Sequence, residues 1–131
     1  MTALDTNVLI CYLKGDPLIV SRITATNPSE IVVPTIVVYE LEYGTLNSRL
    51  SASRRKQLDS VLRNLKHVPF DTNAALSAAQ IRLELEKRGS IIGPLDILIA
   101  GTALSLGATL VTNNTAEFSR VPGLRLADWQ S

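Results

Sequence analysis

Apolar positions along the chain follow two rhythms. Short aliphatic or β-branched runs, Ala3-Leu4, Ile31-Val32-Val33 and Ala108-Thr109-Leu110-Val111-Thr112, read as buried strands. Val68-Pro69-Phe70 and Leu124-Arg125-Leu126 add two more, and Pro69, which has no N–H to donate, puts its strand at a sheet edge. Between these runs the apolar residues recur at three-and-four spacing. Residues 8–13 predict a short helix that Thr6 or Asn7 can cap and that stops near Gly15; residues 17–25 predict a second. Thr35 caps a helix that carries Ile36, Tyr39, Glu40 and Tyr43 on one face and ends at Gly44. Ser51 or Ser53 opens another, lined by Leu58, Leu62 and Leu65, and Asn73 caps a long helix ending at Lys87-Arg88-Gly89.

The stretch from Gly93 to Gly107 breaks the amphipathic pattern. Pro94 suits the first helical position, where a missing N–H costs nothing, and Gly107 suits the position just past the end. Between them nearly every residue is apolar or small on all faces, which predicts a helix buried in the core. Asp96 sits in its first turn. The helix N-terminus favours a negative charge there, yet a carboxylate among apolar neighbours still needs a cation, a donor or a proton.

Strand and helix patterns alternate, which predicts an α/β fold: a central, mostly parallel twisted sheet of about five short strands flanked by helices, with residues 1–131 as one domain. In such sheets ligands bind outside the carboxyl ends of the strands. Asp5 follows the first strand, Glu40 lies in the helix after the second, Asp96 opens the helix before the fourth, and Thr112 and Glu117 follow the fourth. One site can collect all of them.

Composition narrows the reading only a little. The 131 residues, 46% hydrophobic, are enough for an ordinary core, and a net charge of +1 sets up no strong global field toward nucleic acid or membrane. Cys11 is the only cysteine, so no intrachain disulfide forms and a reducing, cytoplasmic setting is expected. The opening residues lack a basic segment and a long apolar run, so neither a signal peptide nor a membrane span is expected.

The acids carry the chemistry. At an effective dielectric of ~20, two carboxylates ~5 Å apart repel by about 3 kcal/mol, so a cluster calls for protonation or a cation. Oxygen-only ligands favour a hard ion such as Mg²⁺ or Mn²⁺, and such an ion can activate water against a phosphodiester. One Cys and one His cannot make a zinc site.

Four segments, taken in order, carry a resemblance that spans essentially the whole chain. Asp5-Thr6-Asn7, Glu40-Leu41-Glu42-Tyr43-Gly44, Gly93-Pro94-Leu95-Asp96-Ile97-Leu98-Ile99-Ala100 and Thr112-Asn113-Asn114-Thr115-Ala116-Glu117-Phe118 resemble the PIN domain. Their order and spacing are similar to the VapC ribonuclease toxins of bacterial toxin–antitoxin modules. The resemblance implies a homodimeric, Mg²⁺- or Mn²⁺-dependent endoribonuclease neutralised by a VapB-type antitoxin, whose C-terminal segment docks near the acids. It makes Asp5 and Asp96 the principal metal ligands, Glu40 a third acid and Glu117 the fourth, with Thr112 as a supporting hydroxyl. Some relatives carry an acid where this chain has Asn114. The segment from Leu110 to Trp129 is similar to the tRNA-cleaving branch.

Other readings compete with this one. Asp5 can be a helix cap, Asp96 a first-turn charge, Glu40 a solvated side chain and Glu117 a loop acid. A phosphoacceptor domain also places acids at strand ends; the dehalogenase kind needs a second Asp where this chain has Asn7, and the receiver kind needs a Lys that does not closely follow Thr112. A non-catalytic binding module would be expected to have lost acids. The run Arg54-Arg55-Lys56 reads as a solvated helix face or as a grip on RNA phosphates. His67 reads as a partnered or exposed side chain, Cys11 as a small buried hydrophobe, Asp71 and Asp128 as turn residues, and Tyr39, Tyr43 and Trp129 as packing or interface residues.

Overall fold

A computed structural model of the chain describes residues 1–48 and 51–130. Its strands are β1 (Thr2–Leu4), β2 (Ile31–Pro34), β3 (Lys66–Val68), β4 (Thr109–Val111) and β5 (Leu126–Ala127). All pair in parallel in one sheet of order β3-β2-β1-β4-β5. The helices are α1 (Thr6–Leu13), α2 (Pro17–Ala25), α3 (Thr35–Ser48), α4 (Ala52–Asn64), α5 (Thr72–Lys87), α6 (Pro94–Ser105) and the single turn α7 (Thr115–Phe118). Among the described residues no helix is long and apolar enough to cross a membrane.

The sheet grows from β1 outward in both directions, first to β2 and β3, then to β4 and β5. The order therefore reverses between β1 and β4, and the crevice outside their carboxyl ends is where such sheets bind ligands. Register makes the crevice specific. Leu4 pairs with Val111, and Asp5 N donates to Val111 O at 3.0 Å, so Asp5 and Thr112 emerge side by side.

Strands β1, β2 and β4 are covered on both faces, as their continuous apolar runs require. Helix α6 is the buried helix that its all-round apolar character predicts, with Ile97, Ile99, Ala100 and Ala103 in the core. Gly107, at φ 65°, takes the left-handed conformation just past its end. Gly101 sits where α6 crosses α5: a Cβ there would lie 2.7 Å from Ala78 Cβ and 2.9 Å from Ala74 O.

Several element boundaries differ from those the pattern predicts. Helix α3 runs through Gly44 to Ser48, because Gly44 does not adopt the positive φ that ends a helix. Strand β3 begins at Lys66 and ends before Pro69, so the edge placement holds while the paired residues shift toward the N-terminus. Strand β5 is Leu126–Ala127 rather than 124–126. Asp71, not Asn73, caps α5, its side chain accepting from Ala74 N at 2.9 Å. Ser51 caps α4, accepting from Arg54 N at 3.2 Å.

Candidate active site

Asp5, and not Thr6 or Asn7, is the N-cap of α1, so the competing reading of this acid as a helix cap holds at the level of local structure. Its Oδ1 accepts from Thr6 N at 2.8 Å and its Oδ2 accepts from Thr112 Oγ1 at 2.8 Å. Only 5% exposed, it is the one charged side chain in the core among the described residues, and Thr112 beside it is fully buried. Capping satisfies part of the carboxylate, but burial still pushes Asp5 above its usual range. The Thr112 and Thr6 hydrogen bonds pull the other way, and the charges of Glu40 and Glu117 add to the rise. The cap and the buried acid are thus the same residue.

Thr6, freed from capping, donates its Oγ1 to Glu40 Oε1 at 2.7 Å. That bond holds a mid-helix glutamate of α3 against the start of α1. Glu117, in α7, reaches across to α6: its Oε1 accepts from Gly93 N at 3.1 Å, and its Oε2 accepts from Asn114 Nδ2. Asn114 N in turn donates to Thr112 Oγ1 at 3.0 Å, so the β4–α7 loop is tied into the same network.

Asp96 accepts no hydrogen bond from the described residues. Burial, with the charges of Asp5, Glu117 and Glu40, pushes it up to about 6. Asp5, Glu40, Asp96 and Glu117 therefore share one electrostatic neighbourhood although they come from four separate elements. They do not form a closed cage: among the described residues no group of three or more His, Cys, Asp or Glu side chains is arranged to hold a metal ion by itself. The donor set is carboxylate oxygen, with two acids raised by burial and mutual repulsion. This suits a hard cation that takes one or two carboxylates and keeps several waters, as Mg²⁺ does.

An apolar groove of about 230 Å³ opens beside Glu40, the one acid of the four that lines it. Ile10, Leu13, Leu41 and Leu58 line it, with Glu40, Lys14 and Arg54 also on its walls.

A model of the PIN domain matches residues 2–124. The tRNA(fMet)-specific endonuclease VapC of Salmonella typhimurium is 37% identical over 126 residues, spanning 96% of each chain. The chain belongs to the VapC family of PIN-domain proteins. Solved structures agree. DNA-bound VapBC from Salmonella typhimurium superposes with a TM-score of 0.91 at 38% identity, covering 98% of this chain and 97% of that one. VapBC2 from Rickettsia felis, bound to a promoter fragment, gives 0.89 at 35% identity over 98% of each. Nucleases of the PIN family are generally metal-dependent, which accords with the oxygen-only acid cluster.

Three participants escaped the sequence reading. The pattern marks Thr6 as a cap and not as a partner of Glu40, Asn114 as the place of an absent acid, and Gly93 as the edge of a helix. Their partners lie 34, 3 and 24 positions away, and only the Asn-x-x-Glu spacing of Asn114 and Glu117 leaves a local trace.

Residues outside the site also resolve. Arg55 is committed within the protein, forking onto Glu42 at 2.9 Å through each nitrogen and reaching Asp59 at 3.2 Å, so it is not a free phosphate grip. Cys11 is half-buried rather than fully buried, its sulfur accepting from Asn113 Nδ2 and Gln130 Nε2. His67 Nε2 pairs with Leu62 O at 2.8 Å, and Trp129 is buried. Tyr39 and Tyr43 are exposed.

Proposed function

We propose that this protein is the toxin of a bacterial toxin–antitoxin module, an Mg²⁺- or Mn²⁺-dependent endoribonuclease that acts on tRNA. The observation carrying the reading is Asp96: a half-buried carboxylate without a hydrogen-bond donor, beside the buried Asp5 and within the field of Glu40 and Glu117. Such a group is held at a cost unless a cation meets it. The tRNA assignment is supported by the naming of the Salmonella relative as a tRNA(fMet)-specific endonuclease.

Asp5 and Asp96 would hold the ion. When bound, it supplies a Lewis acid for the phosphate oxygen and a more acidic water. Asp5 is already oriented by Thr6 N and Thr112 Oγ1, so its carboxylate needs little rearrangement to bind. Glu40, with Oε1 taken by Thr6, accepts the proton of the attacking water at Oε2. Water oxygen bonds to phosphorus as the bond to the 3′ oxygen breaks, and the departing oxygen takes a proton from solvent, leaving a 5′ phosphate and a 3′ hydroxyl. Glu117 completes the acid set.

A VapB-type antitoxin neutralises the toxin by laying an apolar segment in the groove beside Glu40; both VapBC structures above are of toxin with antitoxin. Exposed Leu76 and Leu83, seven positions apart on α5, support a homodimer. The same reading puts the protein in the cytoplasm, with its RNA.

The test incubates purified protein with pooled tRNA in Mg²⁺, in Mn²⁺ and in EDTA, and maps the product ends. Cleavage only with metal, leaving 5′ phosphates, is expected. Equal cleavage in EDTA, or 2′,3′-cyclic phosphate ends, would remove the mechanism.

A further inference from the structure

Gly93 is a glycine that the backbone does not require. Its φ of −56° and ψ of 146° are extended values that any residue adopts, and the following Pro94 restricts it to just that region. Glycine there adds conformational freedom to the unfolded chain and stabilises nothing locally. The reason lies in what a side chain would meet. A Cβ at position 93 would stand 3.0 Å from Asp96 Oδ2 and 3.7 Å from Asp96 Cγ, with nothing else within 4 Å. A side chain there would press on the Asp96 carboxylate, which would have to give way by a few tenths of an ångström.

The N–H of Gly93 has an equally specific partner. Asp96 is the third residue of α6, where an acid ordinarily folds back to cap the N–H of the residue before the helix. Here that N–H goes to Glu117 Oε1 at 3.1 Å. Glu117 is itself the third residue of α7, so it too forgoes its own helix: Asn114 N is satisfied by Thr112 Oγ1 instead. The side chain of Asn114, a residue type well suited to capping, makes no cap bond and holds Glu117 Oε2. Glu117 thus caps α6 from another helix, and both oxygens of Asp96 stay uncommitted.

We propose that Gly93 is a positioning residue for Asp96: its absent side chain makes room for the carboxylate, and its N–H, taken by Glu117, relieves Asp96 of capping duty. Asn114 supports the arrangement by holding Glu117 from the other side. This rests on the reading of Asp96 as an ion ligand.

The test is Gly93→Ala in the full chain, with free Mn²⁺ measured by electron paramagnetic resonance, thermal melts in EDTA, and a crystal structure of the variant. Mn²⁺ affinity should fall by roughly 10-fold or more, as for other supporting residues of metal sites. The metal-free melting temperature should stay level or rise slightly, since alanine fits the backbone and restricts the unfolded chain. The crystal structure should show the Asp96 carboxylate displaced from its place over residue 93. Asn114→Ala should weaken Mn²⁺ in the same direction by a smaller factor. Wild-type affinity in Gly93→Ala, with Asp96 unmoved, overturns the proposal alone. Absence of Mn²⁺ binding by the wild type overturns it together with the metal reading beneath it.

Discussion

Thr112 Oγ1 donates to Asp5 Oδ2 at 2.8 Å, joining residues 107 positions apart at the carboxyl ends of β4 and β1. The bond lies in the core, where a carboxylate oxygen left without a donor is costly. Thr112→Val keeps the shape and removes both the donor to Asp5 and the acceptor for Asn114 N. The variant should lose about 1–3 kcal/mol of stability by urea unfolding in EDTA, with an unchanged slope. Thr112→Ser, which restores the hydroxyl, should recover most of it. A Val variant as stable as wild type would mean that the hydroxyl is dispensable.

Asp96 links stability to pH. Burial and the charges of Asp5, Glu117 and Glu40 push it up to about 6, from an ordinary 3.8. Between those values the native state keeps a proton that the unfolded chain has released, so the metal-free protein loses stability as pH rises through that window. Asp96→Asn removes the effect. In EDTA the variant should melt a few degrees above wild type at pH 7.5, and the difference should shrink as pH falls through that window and vanish only below 3.8, where Asp96 is protonated in the native and the unfolded chain alike. It should not cleave RNA. A large loss of stability at pH 7.5 would make Asp96 a structural anchor instead.

Gly101 tests packing against propensity. Alanine is favoured over glycine in a helix interior by about 1 kcal/mol. At this position its Cβ would lie 2.7 Å from Ala78 Cβ and 2.9 Å from both Ala74 O and Ala78 Cα, backbone contacts that cannot simply swing aside. Gly101→Ala should therefore be destabilising by about 1–3 kcal/mol, forcing α5 and α6 apart. Chemical denaturation measures it, and a stabilised variant would show that the two helices can slide at no cost.

Arg55 ties α4 to α3 through its paired bonds to Glu42 and a further one to Thr45 at 3.0 Å. The pair is half-exposed, so salt screens it in part. Arg55→Ala should lower the melting temperature slightly, less so in high salt, and leave RNA affinity unchanged in filter binding. A fall in RNA affinity with unaltered melting would return Arg55 to the role of a phosphate grip.

Local sequence chemistry made much of this protein legible. The strand cores, the alternation that demands a parallel sheet, and the apolar helix bounded by Pro94 and Gly107 all follow from features within a few residues of one another. The order of the acid motifs was equally visible, as was the family they resemble. The boundaries that went astray turn on choices between adjacent, similar candidates: whether Gly44 leaves the helical region, whether Asp71 or Asn73 caps, which residues of 66–70 pair with β2. Asp71 prevails through a local bond, its side chain accepting from Ala74 N, whereas the residues of β3 are chosen by their register with β2. Convergence of the acids needed the tertiary structure altogether. It depends on the Leu4–Val111 register, on where the start of α6 docks, and on a glutamate that caps a helix other than its own. A chain's own neighbours set its turns and helix ends, because those interactions reach only a few residues. The distances between carboxylates drawn from four elements are set by the packing of the whole core, which no single segment contains.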